Sequence, residues 1–163
     1  MTRPIKILAL GAPSIVLLDQ ITKILVEKGM RLGEISVAID GILNLAYVRN
    51  AGAAFGLFSS IPSSIRSPLF VTISLIAIGI IFFILRKIPS QKIMLPVGLT
   101  SILGGAIGNL LDRIRLGYVI DFIDVHWKHI HWPAFNVADI AITVGVALIL
   151  IDGWGVKSGD GTT

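Results

Sequence analysis

The chain has 163 residues, of which 54% are hydrophobic and only 15% charged, with a formal net charge of +4. Soluble domains carry about a quarter charged residues, so this composition excludes an ordinary soluble protein and points to an integral membrane protein. The chain has no cysteine, which excludes disulfides and thiolate chemistry, and its basic residues form no stripe of the kind that binds nucleic acid.

Four apolar stretches, at residues 5–26, 68–85, 93–111 and 135–151, each approach the ~20 residues that carry a helix across a bilayer. The first follows Arg3 and Lys6 as a secretory signal would. However, Asp19 and Lys23 interrupt it and no small-x-small cleavage site follows, so it reads as a retained span. Asp19 and Lys23 are spaced i, i+4 and can neutralise each other on one helical face. The pair reads either as a packing device or as a way for Lys23 to meet a substrate or hold a site in place, with Asp19 orienting it.

A β region is expected over about 29–58. Residues 34–39 partly alternate, Asp40-Gly41 is a turn signal, and 42–48 form a second strand-like run, together a hairpin. Asn50, Gly52, Ala53, Ala54 and Gly56 then make a small-residue stretch where backbone can approach a ligand. Residues 59–67, with Pro62 and Pro68 nearby, are expected to form a short interfacial helix or lid.

In the third span Gly98, Ser101, Gly104, Gly105 and Gly108 recur at spacings of three and four, which permits tight helix packing. The span closes on Asn109, Asp112 and Arg113, read as helix termination or as support for the nearby Asp121. His126, His129 and His131 lie beside Trp127 and Trp132 in what reads as an interfacial loop with aromatic anchors. Their spacing fits no helical zinc pair, so no metal is expected. Asp124 reads as a solvated loop carboxylate and Asp152 as structural. The tail at 158–163 is too polar to be ordered by burial, and there is no repeat of the inverted-transporter kind.

Four spans place both termini on one side. Arg3, Lys6, Arg86, Lys87, Lys92 and Lys157 crowd the short segments, whereas the other basic residues are diluted over longer loops. The termini and the 86–92 turn are therefore expected in the cytoplasm.

The most informative pair is Asp121 and Asp139, each set among apolar neighbours, with Asn136 one helical turn before Asp139. Ionisable groups at membrane depth are costly and usually functional. Two such carboxyls near one surface, if they converge, should share a proton, and they point to acid/base catalysis. A proton-coupled transporter and a non-enzymatic assembly factor that docks a partner on the hairpin are the competing classes.

At this point five ordered segments resemble the bacterial lipoprotein signal peptidases, or signal peptidase II. They are Leu18-Asp19-Gln20-Ile21-Thr22-Lys23, Asn50-Ala51-Gly52-Ala53-Ala54-Phe55, the run from Gly104 to Arg113, Val119-Ile120-Asp121-Phe122, and Phe135-Asn136-Val137-Ala138-Asp139. The resemblance implies a single membrane-embedded peptidase domain over 1–163, with four transmembrane helices and a small extracytoplasmic β-cradle. It implies an aspartyl endopeptidase of the bacterial cytoplasmic (inner) membrane, cutting diacylglyceryl-modified prolipoproteins just before the lipidated cysteine. Asp121 and Asp139 would be the catalytic dyad. Asp19, Lys23, Asn50, Gly52, Asn109, Asp112, Arg113 and Asn136 would bind substrate or support the dyad. No metal or cofactor is required, the partners are substrate and membrane lipid, and a monomer is expected.

Overall fold

The computed structural model describes residues 2–52, 58, 61–128 and 130–157. Along these run α1 (Arg3–Gly29), β1 (Ile35–Ile39), β2 (Leu43–Asn50), α2 (Ser63–Leu85), α3 (Met94–Leu116), β3 (Val119–Trp127), β4 (Ile130–His131) and α4 (Val137–Lys157). All four helices are long and apolar enough to cross a membrane. Over the most apolar window of each, 56% of α3 is buried against 11% of the others, so α3 is the central helix. The rest turn leucines such as Leu10 and Leu150 outward, as helices that face a bilayer do.

The small residues of α3 explain its position. A Cβ on Gly104 would lie 2.9 Å from Ile15 of α1, and one on Gly98 would lie 2.8 Å from the Gly145 carbonyl oxygen of α4. One on Gly105 would overlap the Ala138 carbonyl, and one on Gly108 would sit 2.6 Å from Asp19 Oδ2. The expected packing role therefore holds for these four glycines, while half-buried Ser101 bonds its hydroxyl to Val97 O within its own helix.

The helix limits differ from the sequence reading. Residues 63–67, expected to form a separate interfacial helix, are the start of α2, with Pro68 early enough in the helix that few bonds are forfeited. The helix α3 runs on to Leu116 and stops at Gly117, whose φ of +80° is the left-handed conformation that glycine adopts without strain. Asn109 and Asp112 therefore lie inside the helix and do not terminate it. The expectations for Ala53, Ala54, Phe55, Gly56, Ser59, Ser60, His129 and the 158–163 tail lie outside the described residues.

The hairpin of β1 and β2 forms as expected, turning through Gly41 at φ +74° with Ile42 N–H donating to Ile39 O at 3.1 Å. The sheet is larger than the hairpin: four antiparallel strands in the order β1-β2-β3-β4. The strand β3, whose end from Asp124 to Trp127 reads from sequence as loop, pairs with β2 so that Asp121 faces Val48 and Asp124 faces Asn44. Phe122 and Ile123 also donate backbone N–H bonds to Phe135 O, and Phe135 N–H returns one to Ile123 O. This stitch brings the start of α4 against β3. Tyr47, Ile120 and Phe122 pack on Val26, seating the sheet on α1.

Candidate active site

Asp121 and Asp139 reach one site from different elements. Asp121 lies on β3 and is 2% exposed. Asp139 is in the first turn of α4, behind Asn136 as N-cap. Asp139 N–H donates to Asn136 Oδ1 at 2.9 Å, and Asn136 N–H donates back to Asp139 Oδ2 at 3.3 Å. This reciprocal capping box satisfies two helix-end donors. The cap gives Asp139 hydrogen-bond partners within its own helical turn.

Asn136 is fully buried and joins the two aspartates, since its Nδ2 also donates to Asp121 Oδ1 at 2.7 Å. Asn50 Nδ2, from the end of β2, donates to Asp121 Oδ2 at 2.9 Å, and Asn109 Nδ2, from α3, donates to Asp139 Oδ1 at 2.8 Å. Each carboxyl oxygen thus receives a donor, which fixes both rotamers. Burial pushes the Asp121 carboxyl up to about 7, helped by the charge of Asp139 and opposed by the bonds from Asn50 and Asn136.

Behind the pair lies a buried ionic cluster. Lys23 Nζ sits 2.8 Å from Asp19 Oδ2, 2.9 Å from Asp112 Oδ2 and 2.9 Å from Asn109 Oδ1, which occupies its three hydrogens. The packing reading of Asp19 and Lys23 is correct, and the same atoms also reach the site. Arg113 does not pair with Asp112. It donates to Asn109 O at 3.3 Å, lies over the Phe70 ring and lines the cavity.

That cavity has a volume of about 490 Å³. Asp121, Asp139, Asn50, Gly52, Asn109 and Arg113 line its polar end, and Ile140, Ile142 and Val144 carry it along α4. Gly52 N–H donates to Asn50 Oδ1 at 3.0 Å, which fixes the small-residue corner at its rim. Ten residues singled out from the sequence therefore assemble here or directly behind.

Other expectations need correction or addition. Asp124 is not a solvated loop carboxylate: it is 7% exposed, bonded by Asn44 Nδ2 at 3.0 Å and His131 Nδ1 at 2.9 Å. Burial raises its pKa, but these two bonds together with the nearby His131 and His126 rings outweigh it and hold the carboxyl below its ordinary value. The His126 and His131 rings stack at 4.9 Å across the β3–β4 pair, so they belong to the sheet. No group of His, Asp or Glu suited to a metal occurs among the described residues. Asp152 pairs with Lys92 at 3.4 Å. Gln20 was missed: its Nε2 contacts Asp19 Oδ2, Gly108 O and Asp112 Oδ1. A polar residue next to Asp19 in an apolar helix was the available signal.

The model of the family described as Signal peptidase (SPase) II matches residues 12–154. A lipoprotein signal peptidase from Geobacter sulfurreducens is 48% identical over 135 residues, covering 83% of each chain. One from Syntrophus aciditrophicus is 44% identical over 152 residues, covering 93% of this chain and 94% of its own. Among solved structures, a bacterial membrane enzyme determined by the in meso method at 2.3 Å resolution superposes with a TM-score of 0.86 at 30% identity, covering 99% of this chain and 96% of that one. A family match over most of the length, on a fold with four spanning helices and a small antiparallel sheet, settles the assignment: the chain belongs to the signal peptidase II family of membrane aspartic proteases.

Proposed function

We propose that this chain removes the signal peptide from diacylglyceryl-modified prolipoproteins, cutting immediately before the lipidated cysteine with a water activated between Asp121 and Asp139. The observation that carries the mechanism is the convergence of these two carboxyls, joined by Asn136, on one cavity that continues along apolar α4.

Asp121, whose pKa lies near 7, carries the shared proton and donates it as a hydrogen bond to the scissile carbonyl. Asp139 stands in the first turn of α4, where negative charge is favoured. It takes a proton from the water, whose oxygen adds to the carbonyl carbon. The dyad then holds two protons. The tetrahedral oxyanion, hydrogen-bonded by Asp121, collapses as Asp139 passes the proton it took to the amide nitrogen, the C–N bond breaks, and the dyad is left with one proton. No covalent enzyme intermediate is needed.

The apolar end of the cavity suits the acyl chains of a substrate that enters sideways from the bilayer. Gly52 and Asn50 suit the peptide backbone at the polar end, and Arg113 adds a cation beside the dyad. On this reading the enzyme works as a monomeric, single membrane-embedded domain in the bacterial cytoplasmic (inner) membrane. Both termini are cytoplasmic and the sheet end is extracytoplasmic. The polar groups of the site gather at that end and not along a path between the two faces, which argues against the proton-transporter class.

The test is cleavage of a diacylglyceryl prolipoprotein by the purified protein, with both products weighed by mass spectrometry. A product beginning at the lipidated cysteine is expected. Cleavage elsewhere, or equal cleavage of the unlipidated precursor, would contradict the assignment.

A further inference from the structure

The residue before each proposed catalytic aspartate is held through its backbone by a buried carboxylate. Ile120 N–H donates to Asp112 Oδ2 at 3.1 Å, and Ala138 N–H donates to Asp19 Oδ1 at 2.9 Å. One cation grips both holding carboxylates: Lys23 Nζ, at 2.8 Å from Asp19 and 2.9 Å from Asp112. We infer that Lys23 is a positioning residue that sets the separation of Asp121 and Asp139, acting on α4 through Asp19 and on β3 through Asp112. The inference rests on the dyad proposed above and deepens it.

Lys23 has no free hydrogen to offer a substrate. It is 1% exposed and its third hydrogen goes to Asn109 Oδ1, whose amide nitrogen in turn holds Asp139. A direct role in binding is therefore closed to it. Position gives it leverage instead, because the Cα of each held residue is one step, about 3.8 Å, from an aspartate Cα. A shift of either holding carboxylate therefore acts on the residue bonded directly to an aspartate of the dyad. Gln20 Nε2 ties Asp19 and Asp112 together a second time, at 3.2 and 3.0 Å.

The cluster is also a poor device for stability alone. Taking ionisable groups out of water is costly, and well-packed apolar residues of similar size often do as well as buried ion pairs. A network that fixes the register between α1, α3, β3 and α4 accounts for the choice of charged groups.

The test uses the full-length enzyme and a diacylglyceryl prolipopeptide. Lys23→Met removes, at similar size, the cation that joins the two holding carboxylates. It should lose kcat as the leucine variants do, and wild-type kcat in Lys23→Met would overturn its role. Asp19→Asn and Asp112→Asn keep an acceptor oxygen for the backbone N–H, whereas Asp19→Leu and Asp112→Leu remove it at similar size. The leucine variants should lose about 100-fold in kcat, the scale of a 1 Å misplacement of reacting groups. Their KM should change less than about threefold, and the asparagine variants should stay within about tenfold of wild-type kcat. Affinity for a lipopeptide bearing a statine-type hydroxyl at the scissile position should fall in step with kcat, while an uncleavable ground-state analogue binds as before. If the leucine variants do not accumulate, Asp19→Ser and Asp112→Ser replace them, since a serine hydroxyl is too short to reach either N–H. Equal kcat for the leucine (or serine) and asparagine variants, or a loss carried by KM, would overturn the positioning role. If Asp121→Asn itself turns over normally, the dyad reading falls. If it is inactive while the leucine or serine variants are not impaired, the positioning role alone falls.

Discussion

Gly105→Ala tests the link between helix packing and chemistry. The added methyl would overlap the Ala138 carbonyl oxygen and lie 2.7 Å from Ile142 Cγ1, where ordinary contact begins at 3.4 Å. The first obstacle is backbone, which cannot rotate away, so α4 must retreat at the residue next to Asp139. A retreat of about 1 Å predicts about a 100-fold loss of kcat, together with an overpacking cost of about 1–3 kcal/mol in stability. Gly104→Ala meets the Ile15 side chain at 2.9 Å on the face away from α4, and Gly79→Ala meets nothing within 4 Å. They serve as graded controls. The assay is cleavage of a diacylglyceryl prolipoprotein by purified variants, alongside thermal unfolding in the same detergent. Gly105→Ala turning over within about threefold of wild type would show that Asp139 does not depend on this contact.

Three other outcomes follow from the site. With Asp121 protonated below about 7, kcat/KM should fall about tenfold per pH unit above that point as the proton is lost; a pH–rate profile that rises from 7 to 9 would contradict this. Asn50→Ala removes a bond that favours the ionised form, so the same limb should move to higher pH. Gly52→Leu should raise KM more than it lowers kcat, because residue 52 lines the cavity without touching the dyad; initial rates at limiting substrate check this. For topology, Ser36→Cys in β1 should be labelled by an impermeant thiol reagent on intact spheroplasts and Ser90→Cys spared, the chain having no cysteine of its own. Labelling of Ser90→Cys with the membrane sealed would reverse the orientation.

The parts of this protein legible in its sequence are those that obey a local rule. Span length announced the four helices, the Asp40-Gly41 turn announced the hairpin, and the spacing from Gly98 to Gly108 announced close packing around α3. The strand β3 was missed because Asp121, Asp124 and His126 interrupt its apolar pattern, and because it sits between β2, Phe135 and the helices, so that residues on both of its faces are buried. The ends of α3 and α2 were misplaced because the apolar pattern stops before the helices do: α3 continues through Asp112, Arg113 and Arg115 to Leu116, and α2 begins at Ser63. Asp19, Lys23 and Asp112 stood out as charges among apolar residues. Their grip on the Ile120 and Ala138 amides could not be read from side-chain identity, since a backbone N–H has no signature in sequence.

The central claim is that Asp121 and Asp139 together run the hydrolysis, one as acid and one as base. Single Asp121→Asn and Asp139→Asn variants, purified in folded form and given a diacylglyceryl prolipoprotein, measure it most directly, since an amide keeps the shape of the side chain but can neither lend nor accept the shared proton. Each should lower turnover at least about 1,000-fold while still binding the lipidated substrate. Turnover near the wild-type rate by either variant would contradict the dyad.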